Sequence, residues 1–366
     1  MYLFHFILAL VATLAITPLV KRLAIKTDCV DLPNVPRKIH TKPMPLLGGL
    51  AVFAVFALVV FVYLLWGQPN FDVVPLKFFL AILGGGAVLM LGGALDDRYR
   101  LSARQTVWFP AIACLIIVLS GIGIGITFLT NPFGGTIPLD YFVLGIPVSG
   151  IFVWLWLMGM VYTTKLLDGL DGLASGVGLI GSLTMFFLSL TDKVNQPVTA
   201  TLAIILAGCL AGYLFYAFNP ASIFLGESGS TFIGFTLGVL SVLSGAKIAT
   251  ALLVMGIPIL DVAWAIARRL WYRSSPFIGD RQHLHFRLLD VGLSHRQAVL
   301  LLYTMSAIFG FTAVFMQSRG KLIALGLLIL VTLTLLAVLA VVLRYRSNVK
   351  EGRHGTDEAD SRSGLE

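Results

Sequence analysis

The sequence predicts an all-α, polytopic integral membrane protein, and three observations carry that expectation. Apolar runs of about 20 residues, the length that crosses a bilayer as a helix, recur along the chain. Charged residues make up only 12% of it, about half the share typical of soluble domains. A soluble core could not hide so much apolar surface, so lipid must solvate it. Basic residues also fall almost entirely in alternate connections between the runs, as expected of cytoplasmic loops.

Eleven runs qualify as spans: 2–20, 46–66, 77–95, 105–126, 141–160, 173–190, 198–217, 229–243, 248–267, 297–316 and 321–343. The first begins at the chain start without a basic n-region or a cleavage site, and reads as a retained span rather than a signal peptide. The eighth is short and carries Gly229, Gly234 and Gly238, which favours close packing between helices. One set of connections and the tail hold 21 of the 26 Lys and Arg residues, from Lys21–Lys42, Arg98–Arg104, Lys165, Arg268–Arg296 and from Arg344 onward. The other set holds Lys77, Lys193, Lys247, Arg319 and Lys321. The N-terminus is therefore expected outside and the C-terminus inside. Residues 1–343 read as a single transmembrane domain, and the polar stretch 344–366 as a disordered cytoplasmic tail. The net charge of +8 belongs to these loops. It gives no reason to expect a nucleic-acid partner. Cys29, Cys114 and Cys209 match no metal or disulfide spacing.

The chemistry-bearing residues gather on the basic side. Asp96 and Asp97 follow span three, and Asp168 and Asp171 sit in Leu167-Asp168-Gly169-Leu170-Asp171-Gly172 after span five. Glu227 lies in Gly226-Glu227-Ser228-Gly229-Ser230 before span eight, and His283 and His285 lie before span ten. Singly, each has a bland reading: a solvated helix end, a cap, a turn residue, a pair of surface histidines. The i, i+3 spacing of Asp168 and Asp171 puts both carboxylates on one helix face, left open by Gly169 and Gly172. Together, five carboxylates from three short loops on one side would repel one another unless cations intervene. Hard oxygen ligands beside phosphate suit Mg²⁺. Arg98, Arg100, Arg104, Arg281 and Arg287 are suited to phosphate oxygens. That combination at a membrane surface points to phosphoryl chemistry joining a soluble substrate to a lipid.

The motifs resemble a known family. Pro36-Arg37-Lys38-Ile39-His40, Pro45-Leu46-Leu47-Gly48-Gly49-Leu50, Leu95-Asp96-Asp97, Leu101-Ser102-Ala103, the Asp168–Gly172 motif followed by Leu173-Ala174, Phe224-Leu225-Gly226 and Asp280-Arg281-Gln282-His283-Leu284-His285 occur in one order over residues 15–305. The chain is similar to the polyprenyl-phosphate N-acetylhexosamine-1-phosphate transferases. Within them it resembles the branch that starts O-antigen, common-antigen and teichoic-acid synthesis. The resemblance implies transfer of N-acetylhexosamine-1-phosphate, GlcNAc-1-phosphate first among candidates, from a UDP-sugar to undecaprenyl phosphate with release of UMP. It implies Mg²⁺, with Mn²⁺ as the alternative ion, a multi-pass protein of the cytoplasmic membrane, and room for a homodimer. It assigns Asp96 and Asp97 to the lipid phosphate with Arg104 nearby. Asp168 and Asp171 fall to the metal–nucleotide region, Glu227 to the metal, and Phe224 to stacking on uracil. Arg281, His283 and His285 fall to the diphosphate or sugar.

Two positions depart from the family pattern. Lys165 stands where an Asn ligand is usual, and Glu227 where an Asp is usual. A protonated lysine cannot ligate a metal, so Lys165 is assigned to the substrate. A non-catalytic relative that only binds UDP-sugar or lipid would explain both departures. A transporter would instead need ionisable residues near the bilayer midplane.

Overall fold

The computed structural model describes residues 1–33, 42–67, 69, 71, 74–130, 135–143, 145–244, 247–271 and 283–363. The chain is an all-α, multi-pass membrane protein. In order, the first helices are α1 (Tyr2–Lys26), α2 (Gly48–Trp66), α3 (Leu76–Tyr99), α4 (Ala103–Thr106), α5 (Trp108–Ser120) and α6 (Val148–Leu167). They are followed by α7 (Leu173–Ser189), α8 (Pro197–Ala217), α9 (Gly226–Leu243), α10 (Ile248–Val254), α11 (Gly256–Trp271), α12 (Leu284–Asp290), α13 (His295–Phe315) and α14 (Ser318–Ser363). Among the described residues, eight spans pass on length and apolarity, with α4 and α5 counted as one; the α10–α11 pair makes a ninth.

Each of the eleven predicted runs contains a helix, and the fifth run, the ninth run and the C-terminal tail differ most from expectation. The fifth run was expected to be helical from residue 141. Instead its first residues form a two-stranded hairpin, β5 (Phe142–Val143) with β6 (Ile146–Pro147), and α6 starts at Val148. Gly145 turns the hairpin at φ +78°, and Pro147 sits immediately before the helix, a position that needs no backbone N–H. The ninth run is two helices bent by 80° at Met255. Pro258 cannot donate to the carbonyl of Val254, so the helix must restart, and Pro258 then falls in the first turn of α11 where its missing N–H costs nothing. At the C-terminus, α14 continues past the apolar run into the polar segment that begins at Arg344. Two other hairpins are small: β1 (Val30–Asp31) with β2 (Met44–Pro45), and β3 (Phe128–Thr130) with β4 (Thr136–Pro138).

Helices α8 and α9 form the centre. Nearly every residue of α9 is buried by protein, which explains a helix too short and too rich in Ser and Thr to face lipid. Its hydroxyls return to the helix itself, Thr231 and Thr236 donating to the carbonyls of Glu227 and Phe232, because lipid offers no other acceptor. Small residues let the neighbours close in. A Cβ at Gly208 or Gly212 of α8 would fall 2.5 Å from a backbone carbonyl of α1. A Cβ at Gly49 of α2 would fall 2.2 Å from Gly229 of α9, and one at Gly93 of α3 2.2 Å from Ser228. The glycine-rich eighth run thus sits at the crossing of three helices, as its composition predicts.

Candidate active site

The tight crossing at α9 brings the acids together. Asp96 and Asp97 from the end of α3, Asp168 and Asp171 from the α6–α7 turn, and Glu227 from the first turn of α9 line one cavity of about 950 Å³. Its assembly starts from the Pro45–Gly49 segment. Phe224 N–H donates to the Pro45 carbonyl, and Gly48 and Gly49 N–H donate to the carbonyls of Phe224 and Leu225. The first backbone donors of α2 are thereby satisfied by the turn that leads into α9. The Glu227 N–H, a first-turn donor of α9, is taken by Asp97 Oδ1 at 3.2 Å, a carboxylate favourably placed at a helix N-terminus. The other oxygen, Asp97 Oδ2, is buried and has no hydrogen-bond partner among the described residues. Gly226 adopts φ +76°, and a Cβ there would lie 2.5 Å from that oxygen. We expect Gly226→Ala to cost about 1–2 kcal/mol in backbone strain alone and to push Asp97 off the Glu227 N–H. A melting-temperature drop in detergent is the measurement. An unchanged melt would mean that the turn is looser than its geometry.

A cation stands among these acids. Lys165, in the last turn of α6, places its Nζ 2.5 Å from Glu227 Oε1. The pair is held by the α6–α9 packing, where a Cβ at Gly234 would meet Thr164 Oγ1 at 2.1 Å. Asp168 caps the end of α6, and its carboxylate makes no hydrogen bond among the described residues. Burial pushes Asp168 up to about 7, with the Glu227 and Asp171 carboxylates adding to the effect. Positive charge placed beside such a group favours its ionised form.

The Asp168–Gly172 motif is a turn, which corrects the expectation of one helix face. α6 ends at Leu167 with Asp168 as its non-helical cap, and α7 starts only after Gly172, at φ +80°, so no helix joins Asp168 to Asp171. Of the two carboxylates, Asp171 is the one with hydrogen-bond partners among the described residues. Asp171 Oδ2 accepts from Asn219 Nδ2 at 2.9 Å and from Ala221 N–H at 3.1 Å, bracing the turn that leads to Phe224. It is engaged by protein on that oxygen, and Glu227 is engaged by Lys165. Of these four acids, Asp97 Oδ2 and the Asp168 carboxylate therefore have the least protein engagement among the described residues.

The remaining predicted residues divide. Phe224, Lys165 and Arg100 line the cavity, with Lys42 and His295. Arg104 is exposed on α4 and does not line it. Arg98 turns to the α1–β1 connection, bonding the Thr27 carbonyl and pairing with Asp28 at 3.7 Å. Arg281 and Asp280 lie outside the described residues, as does the 36–40 motif. His283 and His285, expected at the substrate, are instead buried, 5% and 2% exposed, and stand behind the cavity wall. Burial holds the His285 imidazole down to about 4, so it is neutral at pH 7. Their adjacent Phe286 does line the cavity. Sequence reasoning missed Asn219, Tyr303 and Asp261. Tyr303 donates its hydroxyl to the Gly172 carbonyl. Asp261 had a signal, since an ionisable residue inside an apolar run is a functional candidate by default.

Helical spans with an acid-lined, cation-bearing cavity at one end of the bundle define a membrane-embedded enzyme. Residues 79–245, which include Asp96, Asp97, Asp168, Asp171 and Glu227, match the family described as glycosyl transferase family 4. The chain is 34% identical over 86% of its length, and 84% of the relative's, to a probable undecaprenyl-phosphate N-acetylglucosaminyl 1-phosphate transferase of Bacillus subtilis. It is 33% identical over 89% of its length, and 85% of the relative's, to a decaprenyl-phosphate N-acetylglucosaminephosphotransferase of Mycolicibacterium smegmatis. An undecaprenyl-phosphate alpha-N-acetylglucosaminyl 1-phosphate transferase of Yersinia pestis is 30% identical over 80% of this chain and 78% of its own. The chain belongs to this family of polyprenyl-phosphate sugar-1-phosphate transferases, and it is a phosphotransferase.

Proposed function

We propose that the chain transfers GlcNAc-1-phosphate from UDP-GlcNAc to undecaprenyl phosphate and releases UMP, the first step of a cell-envelope polysaccharide. The observation that supports it most is the cavity itself, where Asp96, Asp97, Asp168, Asp171 and Glu227 converge with Lys165 at the end of the spans. The lipid's phosphate monoester has a second pKa of about 6, so at neutral pH it is mostly a dianion and needs alignment more than deprotonation. Its oxygen attacks the β-phosphorus of the UDP-sugar. The bond from that phosphorus to the bridging oxygen breaks, and UMP departs with that oxygen. Lys165, Lys42 and Arg100 line the cavity and hold phosphate oxygens in place. The Phe224 ring receives the uracil.

The donors suit Mg²⁺. Asp97 Oδ2 is an orphaned buried oxygen and Asp168 a hard carboxylate beside it. Among the described residues no three acidic, His or Cys side chains form a metal cluster, but Mg²⁺ is commonly held by one or two carboxylates together with substrate phosphates. Asp168 and Asp97 would hold it, and when bound it would neutralise charge developing on the diphosphate. Glu227 would join only by giving up Lys165, and Asp171 remains a brace for the 219–224 turn.

The reading includes a single transmembrane domain over residues 1–343, eleven spans with the N-terminus outside, and a cavity on the cytoplasmic face of the cell membrane. The basic-residue asymmetry supports that orientation. A cysteine at Ser102, exposed beside α4, in a background lacking Cys29, is expected to resist an impermeant thiol reagent in intact cells and to react after permeabilisation. Labelling from outside would reverse the topology. The activity test is incubation of membranes carrying the chain with UDP-GlcNAc and undecaprenyl phosphate. UMP and a lipid-linked GlcNAc diphosphate are expected. Binding of UDP-GlcNAc without UMP release would favour a non-catalytic relative.

A further inference from the structure

Asp261 is the least expected charge in the chain. It sits in α11, inside the ninth apolar run, and is 7% exposed. A buried carboxylate is tolerated only when it is hydrogen-bonded, and both oxygens of Asp261 are. Oδ2 meets His283 Nδ1 at 2.9 Å, and Oδ1 accepts from the Leu284 N–H at 2.8 Å. The second bond supplies a partner for a first-turn donor of α12, a service usually given by the residue before the helix. Here that residue is His283, whose own side chain makes no such bond. One carboxylate from α11 therefore fixes both the ring and the backbone at the start of α12.

The constraint continues to the cavity. The His285 ring lies parallel to the His283 ring, 5.8 Å away between centroids, and 4.3 Å from the Phe286 ring. On its far side His285 meets the motif turn. A Cβ built on Gly169 would come within 2.3 Å of His285 Nε2, so the imidazole edge rests directly on the Gly169 backbone. Gly169 follows Asp168, whose carboxylate lines the cavity. His285 Nε2 is buried and has no hydrogen-bond partner among the described residues. Packing, rather than a hydrogen bond, thus couples the ring to the turn, and the ring's position is set from behind.

We propose that Asp261 is a positioning residue for phosphoryl transfer: by pinning His283 and the first turn of α12, it seats His285 against Gly169 and so fixes the turn that presents Asp168. This rests on the transferase reading for its consequence, but not for its geometry. Asp171 and Tyr303 hold the far end of this turn, whereas its near end at Gly169, beside Asp168, has His285 packed against it on a backbone that glycine leaves free. Displacement by about 1 Å at the Asp168 carboxylate is enough to cost about 100-fold in rate.

Two measurements on detergent-purified full-length protein test the proposal. The first is amide hydrogen exchange of a peptide covering residues 168–172. Asp261→Asn, which keeps the shape but removes the charge, is expected to raise exchange there at least tenfold and leave α8 unchanged. His285→Ala, which leaves Asp261 intact, is expected to do the same and serves should Asp261→Asn fail to fold. Unchanged exchange at 168–172 in the folded variants would overturn the proposal whatever their activity. The second is the kinetic split. Asp261→Asn is expected to lower kcat at least tenfold with KM for UDP-GlcNAc within about threefold, and the double variant with His285→Ala to be no worse than the poorer single variant, as coupled residues behave. Additive losses, or a loss confined to KM, would overturn it. A parent chain that shows the exchange pattern but no transfer would sink the reaction and leave the positioning intact.

Discussion

Asp168→Asn is expected to lower transfer by about 10²–10³-fold, the effect of removing one preorganised electrostatic contact worth about 2.7–4 kcal/mol in a transition state. The protein should still insert and melt within a few degrees of the parent. The reason lies in what the side chain does not do. Its carboxylate makes no hydrogen bond among the described residues, yet it is held up to about 7 by burial and by neighbouring acids. A group destabilised in its charged form and given no structural partner has its function in what binds the cavity. Asp171 offers the contrast. Its Oδ2 holds Asn219 and Ala221, and an amide oxygen at that position can still accept both bonds. Asp171→Asn should therefore keep transfer within about tenfold of the parent. UMP release by the two variants at matched expression decides between them. Equal and complete loss in both would return Asp171 to the chemistry; full activity in Asp168→Asn would make its carboxylate dispensable.

The spans were legible because a bilayer imposes one strong rule, that about 20 residues must be apolar and internally hydrogen-bonded. The rule is blind to local breaks. Met255 interrupts the ninth run with no loss of hydropathy, and Gly256 and Pro258 were the available signs. The convergence of Asp96, Asp97, Asp168 and Glu227 was legible from their common side of the membrane, and Gly229 pointed to the tight crossing that accomplishes it. What each carboxylate touches was not legible. Spacing put Asp168 and Asp171 on one helix face, but α6 ends at Leu167 and both lie in the turn before α7. Motif position put His283 and His285 at the substrate, but their partner Asp261 lies 22 residues earlier than His283, in a stretch read only as a span. Pattern gives the side of the membrane; only packing tells which groups are in the cavity and which hold it from behind.

The second large effect is expected at Lys165. The cavity gathers a cluster of carboxylates around it, and Lys165 Nζ lies 2.5 Å from Glu227 Oε1 with both side chains largely withdrawn from water, 27% and 14% exposed. An ammonium is a compact point charge suited to carboxylate or phosphate oxygens alike, so Lys165 can neutralise Glu227 in the empty cavity and turn to the diphosphate in the filled one. The same contact keeps Glu227 from a divalent ion. Lys165→Asn should then do two things at once. Transfer should fall at least tenfold, since the charge on the diphosphate loses a fixed partner. Binding of Mn²⁺ to the purified protein, followed by the loss of its free-ion resonance, should tighten at least tenfold, since Glu227 is released and an uncompensated acid cluster favours a cation. Adding Glu227→Asp to Lys165→Asn should recover transfer with a sharper Mg²⁺ requirement. The binding readout keeps charge supply separate from mere loss of structure, because a cavity that had collapsed would bind metal no better. Full activity in Lys165→Asn, with Mg²⁺ titration and Mn²⁺ affinity both unchanged, would show that the lysine only tethers α6 to α9 and takes no part in handling phosphate.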